Sequence, residues 1–224
     1  MNNHLRKWLT ALLVFSLPAF SAADQRNLVE GSFEPKAWNS SVLEREPGWY
    51  ASAEARAAAD TVMSYQSTFG AWPKNTNLLE RITPEAMEEL QNGGRANTID
   101  NDATTVPMQF IALVAEATRE SRYRKSFERG LDYLLEAQYE NGGWPQFYPL
   151  RPDTYYSHIT FNDNAMMNVM FLLRDVAAGK EPYSFVGADR VAKSAAAVSK
   201  GIELVLKTQL ENDGVKTAWC AQYD

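Results

Sequence analysis

The chain has 224 residues, 45% of them apolar, enough for one sizeable core. Its formal net charge of −6 excludes nucleic-acid binding driven by counterion release, and a polyanionic partner would need local cations or a divalent metal to approach it. With one cysteine, Cys220, an internal disulfide is impossible.

In chain order, Arg6 and Lys7 precede an apolar run from Leu9 to Phe20, and Ala19-Phe20-Ser21-Ala22-Ala23 offers small residues for cleavage. This pattern predicts a signal peptide over residues 1–23 and a secreted or periplasmic product. About a dozen apolar residues are too few for a stable membrane span. Cleavage would remove two basic and no acidic side chains, taking the net charge from −6 to −8. Residues 24–49 are polar and irregular and read as an N-terminal lead-in to one domain over 50–224. Ser52 is a good N-cap for a helix with Ala55, Ala58, Ala59 and Val62 on one face, ending near Gln66. Thr83-Pro84-Glu85 opens a short helix running to Gly93-Gly94. Asn97 to Thr105 leads into a helix that tolerates Pro107 in its first turn and buries Val106, Phe110, Leu113, Val114 and Ala117. Further helices carry Phe127, Leu131, Leu134 and Leu135; Met166, Val169, Met170 and Leu173; and, over about 188–209, Val191, Ala195, Val198, Ile202 and Val205.

A repeat organises these elements. Tyr-Gln-Ser-Thr-Phe-Gly-Ala-Trp-Pro-Lys (65–74) is echoed by Ala-Gln-Tyr-Glu-Asn-Gly-Gly-Trp-Pro-Gln (137–146) and by Thr-Gln-Leu-Glu-Asn-Asp-Gly-Val (208–215), with Trp219 after it. Gln66, Gln138 and Gln209 stand 72 and 71 residues apart. Each copy reads as helix, glycine turn, loop and second helix, and the third lacks its second helix. Stacked helical hairpins with long loops on one face favour an all-α barrel over a bundle or solenoid.

Two loops end in acid/amide clusters just before a helix: Asp100-Asn101-Asp102 and Asn162-Asp163-Asn164. Carboxylates and amide carbonyls are the hard oxygens that calcium prefers. The plainer reading is N-capping, although two adjacent side chains cannot both cap one helix end. Trp72 and Trp144, each followed by proline, suit core plugs or a grip on sugar rings, and by their residue type alone the core reading is preferred. Lys74 is the cation best placed for a cleft. His158 and Cys220 have no partners in sequence that would make a metal or nucleophile site.

Trp72-Pro73-Lys74-Asn75, Thr98-Ile99-Asp100-Asn101, Gly142-Gly143-Trp144-Pro145-Gln146 and Ile159-Thr160-Phe161-Asn162-Asp163, in this order, resemble the polysaccharide lyase family 10 pectate lyases from about residue 50 onward. The resemblance implies an (α/α)3 barrel and calcium-dependent β-elimination on polygalacturonate, leaving 4,5-unsaturated products, by a monomer. It implies metal ligands at Asp100, Asn101 and Asp163, less firmly Asp102, and substrate contacts at Lys74, Trp72 and Trp144. The family's base is an arginine beyond the third repeat's first helix. It would fall after Asp224, so no catalytic base is assigned, neither Arg95 nor Arg151, and the chain is read as truncated and without turnover. A non-catalytic pectin-binding module and another α/α-barrel enzyme of the terpenoid cyclase kind are the alternatives. The second lacks any DDxxD diphosphate motif here.

Overall fold

The computed structural model describes residues 37–92 and 95–224, so the expected signal peptide, most of the lead-in and the Gly93-Gly94 helix end lie outside the described residues. Two 3-10 turns, Ser40–Glu44 and Pro47–Ala51, lead into α1 (Ala53–Ser64). The Ser52 hydroxyl accepts from the Ala55 N–H, as expected of an N-cap. Then follow α2 (Pro84–Asn92), α3 (Thr105–Thr118), α4 (Ser121–Glu136), α5 (Ala165–Ala177) and α6 (Ala188–Thr208). The Thr83 hydroxyl caps α2 through the Ala86 N–H, with Pro84 as the first helical residue. The strands are two residues each: β1 (Ile159–Thr160), β2 (Glu211–Asn212), β3 (Val215–Lys216) and β4 (Gln222–Tyr223). Strands β2 and β3 form a hairpin, and β4 returns to pair antiparallel with β1. No helix among the described residues is long and apolar enough to cross a membrane.

The helices form two rows. Helices α1, α4 and α6 stand side by side, joined across α1/α4 by Arg56–Glu120 and Arg122–Asp60 and across α4/α6 by Arg190–Asp132. Helices α3 and α5 pack against them as the second row. This is the all-α, α/α-barrel class of fold expected from the repeat. The α3 stripe is wider than its period suggested. Thr105, Val106, Pro107, Met108, Phe110, Ile111, Ala112, Val114 and Ala115 are all buried, whereas Leu113 is half-buried and Ala117 exposed. The helix is surrounded by α1, α4, α5 and both 3-10 turns, so most of its circumference needs apolar side chains. On α6 the inward face is Ser194, Ala197, Gly201 and Leu204, and the expected Ala195 and Ile202 are exposed. Small residues win there because Met170 of α5 lies against Gly201, where a Cβ would stand 2.9 Å from the Met170 sulfur. Met108 meets Gly130 of α4 in the same way, at 2.9 Å.

The repeat's glutamine and glycine hold the rows together. Gln66 Nε2 donates to the Gly70 carbonyl (2.8 Å) and to the Ser126 carbonyl of α4 (2.9 Å). Gln138 Nε2 donates to the Gly142 carbonyl (3.0 Å) and to the Ala197 carbonyl of α6 (2.8 Å). Each turn thus docks on the first helix of the following repeat. Gly70 and Gly142 have φ of 102° and 98°, and a Cβ at either would fall 2.3 Å from a helix carbonyl, of Arg129 or Lys200. The third turn has the same backbone handedness, with Gly214 at φ 78°, but nothing lies within 4 Å of its Cβ position. Gly142→Ala should therefore cost about 3 kcal/mol, from strain and collision together, and Gly214→Ala about 1 kcal/mol from strain alone. Urea denaturation of both variants would measure the difference, and equal costs would mean that the turn–helix docking is not tight.

Candidate active site

The loop from Arg95 to Thr104 is threaded between the first two turns by buried threonines. The Thr98 hydroxyl donates to the Gln146 carbonyl (2.6 Å) and accepts from the Asp100 N–H (3.1 Å). The Thr104 hydroxyl donates to the Thr98 carbonyl (2.7 Å) and accepts from the Trp72 N–H (3.3 Å). The Ile99 N–H reaches the Gln146 carbonyl, and the Lys74 N–H reaches that of Arg95. These bonds set the loop's register, and Asp100 comes out 5% exposed at its end.

The two acid/amide clusters have one backbone shape. Asp100–Asp102 and Asn162–Asn164 are single 3-10 turns, each with two consecutive left-handed residues. Asn101 and Asp102 have φ of 50° and 57°, and Asp163 and Asn164 have 50° and 58°. Asn and Asp are the non-glycine residues that tolerate this region best, which accounts for the composition of both clusters. The capping reading fails. Thr104 and Asn164 occupy the cap positions of α3 and α5, and neither makes a side-chain cap bond.

Asp100 is held by two donors on one oxygen. Lys74 Nζ lies 2.5 Å from Oδ2, and Gln146 Nε2 lies 2.6 Å from the same atom. Lys74 and Gln146 occupy the same place in successive repeats, two residues after Trp72 and Trp144. Phe147 floors this cluster, with Lys74 Nζ 5.3 Å and the Arg151 guanidinium carbon 3.6 Å from its ring centroid. Burial pushes the Arg151 guanidinium down from its ordinary value, and Arg151 also donates to the Ala96 carbonyl. The Tyr155 phenol is raised, first by its hydrogen bond with Tyr156 and then by desolvation. The Arg95 side chain is exposed and outside this cluster, while its carbonyl serves Lys74.

The other expected ligands surround Asp100 without forming a closed cage. The Asn101 amide donates to Asn75 Oδ1 (3.2 Å). Asp102 Oδ1 accepts from Asn168 of α5 (2.5 Å) and from the Thr105 hydroxyl (3.3 Å). That Asn168 bond ties the first cluster to the N-terminal turn of α5, which begins at the second cluster. Asp163 is exposed and accepts from Asn162 (2.7 Å). Among the described residues, no three His, Cys, Asp or Glu side chains stand close enough together to hold a metal ion. A cleft of about 460 Å3 opens beside Asn101 and Asp102, lined also by Trp38, Asn39, Asn75 and Asn77.

Trp72 and Trp144 are a correction to the expected substrate contacts. Both are 0% exposed, and each indole N–H donates to a helix carbonyl at 2.7 Å, of Val62 or Leu134, four residues before the repeat glutamine. A ring wholly inside the core cannot stack on a sugar. Trp219 donates to the Val205 carbonyl in the same relation to Gln209, but it is 40% exposed. Periodicity missed Gln146, Asn168 and Asn75. Asn75 and Gln146 stand in the motifs that carry the resemblance, and Lys74 and Gln146 are equivalent in the repeat, but nothing local marks Asn168.

A family model described as pectic acid lyase matches residues 66–224. The chain belongs to that family. Among solved structures, the family 10 polysaccharide lyase from Cellvibrio cellulosa is similar at 34% identity and TM-score 0.64, over 79% of this chain and 53% of that one. A mutant of that lyase in complex with trigalacturonic acid is similar at 32% identity and TM-score 0.66, over 84% of this chain and 57% of the other. The chain thus spans little more than half the length of these relatives. No curated protein matches it.

Replacing Lys74 by Met should destabilise the pectic acid lyase fold by on the order of 3 kcal/mol, because Asp100 would remain buried with only a neutral donor. Urea denaturation reads this cost, and the double replacement Lys74→Met with Asp100→Leu should recover only part of it, because the buried Gln146 amide then loses its acceptor.

Proposed function

We propose that this chain is a pectate lyase domain, exported from the cell, that binds polygalacturonate and takes part in its β-elimination with calcium. The observation that carries the reading is membership of the pectic acid lyase family together with a repeated, hard-oxygen double turn beside a cationic cluster. A relative's complex with trigalacturonic acid supports an acidic sugar chain as the ligand.

The donor chemistry suits calcium. Asp100, Asn101, Asp102 and Asp163 offer carboxylate and amide oxygens, and calcium accepts six to eight such ligands in flexible geometry. With too few carboxylates gathered to close a cage, a uronate carboxylate of the substrate would complete the set. When bound, the ion supplies charge that offsets repulsion between an acidic protein and an acidic polymer and makes the C5 proton more acidic. In β-elimination a base takes that proton, the C4–O4 glycosidic bond breaks, the departing oxygen is protonated to become the hydroxyl of the new reducing end, and a C4=C5 double bond forms, with no water consumed. Lys74, paired to Asp100, and Arg151, spread on Phe147, present fixed positive charge near the loop face. That charge orients substrate carboxylates and costs no reorganisation at the moment of reaction.

Calorimetric titration with trigalacturonic acid tests the reading. Binding is expected with calcium and not with a chelator, and Asp163→Ala should weaken calcium-dependent binding at least ~10-fold, about 1.4 kcal/mol. Calcium-independent binding, or an unchanged Asp163→Ala variant, would remove Asp163 from the metal set. Ultraviolet absorbance of the unsaturated product reports turnover separately.

A further inference from the structure

Gln146 presents a conflict that packing alone does not resolve. The side chain is 6% exposed, and its Oε1 is buried without a hydrogen-bond partner. Its other end, Nε2, is 2.6 Å from Asp100 Oδ2, an atom already served by Lys74 at 2.5 Å. An ionised carboxylate only accepts, so the amide must face Asp100 with its NH2 group, and the carbonyl is left to point the other way. A leucine or methionine of similar volume would fill the same space without an orphan acceptor. An unpaired buried polar group that a fold retains calls for an explanation, and a role in setting the geometry of a site is one.

The backbone at Gln146 has its own reasons to be fixed. Its carbonyl accepts from Thr98 and Ile99 and its N–H reaches the Tyr156 carbonyl, none of which uses the side chain. What the side chain adds is a second donor on Oδ2. With Lys74 and Gln146 both on Oδ2, the carboxylate cannot turn that oxygen toward a ligand. Lys74 comes from the first turn and Gln146 from the second, so the orientation of Asp100 reports the docking of two repeats on each other.

We propose that Gln146 is a positioning residue: together with Lys74 it commits Oδ2 of Asp100, leaving Oδ1 as the oxygen directed to the bound cation and the acidic sugar. The inference rests on the reading of the site as one for calcium and polygalacturonate.

The test uses the chain as it stands, with Gln146→Leu and Gln146→Glu, calorimetric titration of calcium and of trigalacturonic acid, and thermal melts. Gln146→Leu should melt at or above the wild-type temperature, because the orphan acceptor is gone, yet bind calcium at least ~10-fold more weakly, because Asp100 is no longer held. Gln146→Glu, which faces Asp100 with a second carboxylate, should not restore wild-type affinity. A purely structural role predicts the reverse, a lower melting temperature for Gln146→Leu with calcium affinity unchanged, and that result would overturn the inference, as would no change in either. If wild-type chain binds calcium but not trigalacturonic acid, the functional reading fails, while the calcium arm still decides the role of Gln146. Binding of neither ligand by the wild-type chain overturns both.

Discussion

A primary amide that donates one hydrogen to its own turn and the other to the next helix is the contact on which the rest of the molecule depends. Gln66 and Gln138 each do this, and neither bond pair can form unless the glycine turn lies almost against the α4 or α6 backbone. The approach is so close that a single Cβ at Gly70 or Gly142 would occupy the place of a carbonyl. A hydrogen bond contributes only about 1 kcal/mol net. These count for more because they fix the angle between successive hairpins, and everything on the loop face inherits that angle.

The site follows from the docking. With the turns held, the residues two positions after Trp72 and Trp144 are brought to one carboxylate oxygen from two repeats, and the threonine-stitched loop places Asp100 between them. The tryptophans set this arrangement from behind. Buried and bonded to the helix end, they anchor the turns from which Lys74 and Gln146 converge on Asp100. Lys74 and Arg151 lie instead against the Phe147 ring, and the amides of Asn75, Asn77 and Asn101 line the adjoining cleft. The third turn shows what docking contributes. It has the same glutamine, left-handed glycine and indole bond, yet Gly214 meets nothing and Trp219 stays 40% exposed.

Legibility varied with the range of the interaction. The 72- and 71-residue spacing, the Ser52 and Thr83 caps and the tolerated Pro107 are local or periodic, and each appears in the fold as expected. The expected stripe of α6 holds in part: Val191, Val198 and Val205 pack half-buried against the core, Ala195 and Ile202 are exposed, and the fully buried line is Ser194, Ala197, Gly201 and Leu204. The partner there is a bulky methionine, and it needs a glycine opposite. The acid/amide clusters resembled caps because Asp and Asn suit both caps and left-handed backbone. Composition cannot separate these roles, and φ can.

The sequence by itself determined the helical class, the hairpin repeat and the family-bearing motifs, since periodicity, turn residues and short motifs are carried along the chain. Only the tertiary structure decided that the tryptophans are core, that Asn168 joins the two clusters through Asp102, and that Lys74 and Gln146 share Asp100. Each of these is a meeting of residues 26 to 66 positions apart or a matter of which way a ring faces. Such contacts depend on how closely one hairpin packs on the next, and no single segment encodes that distance.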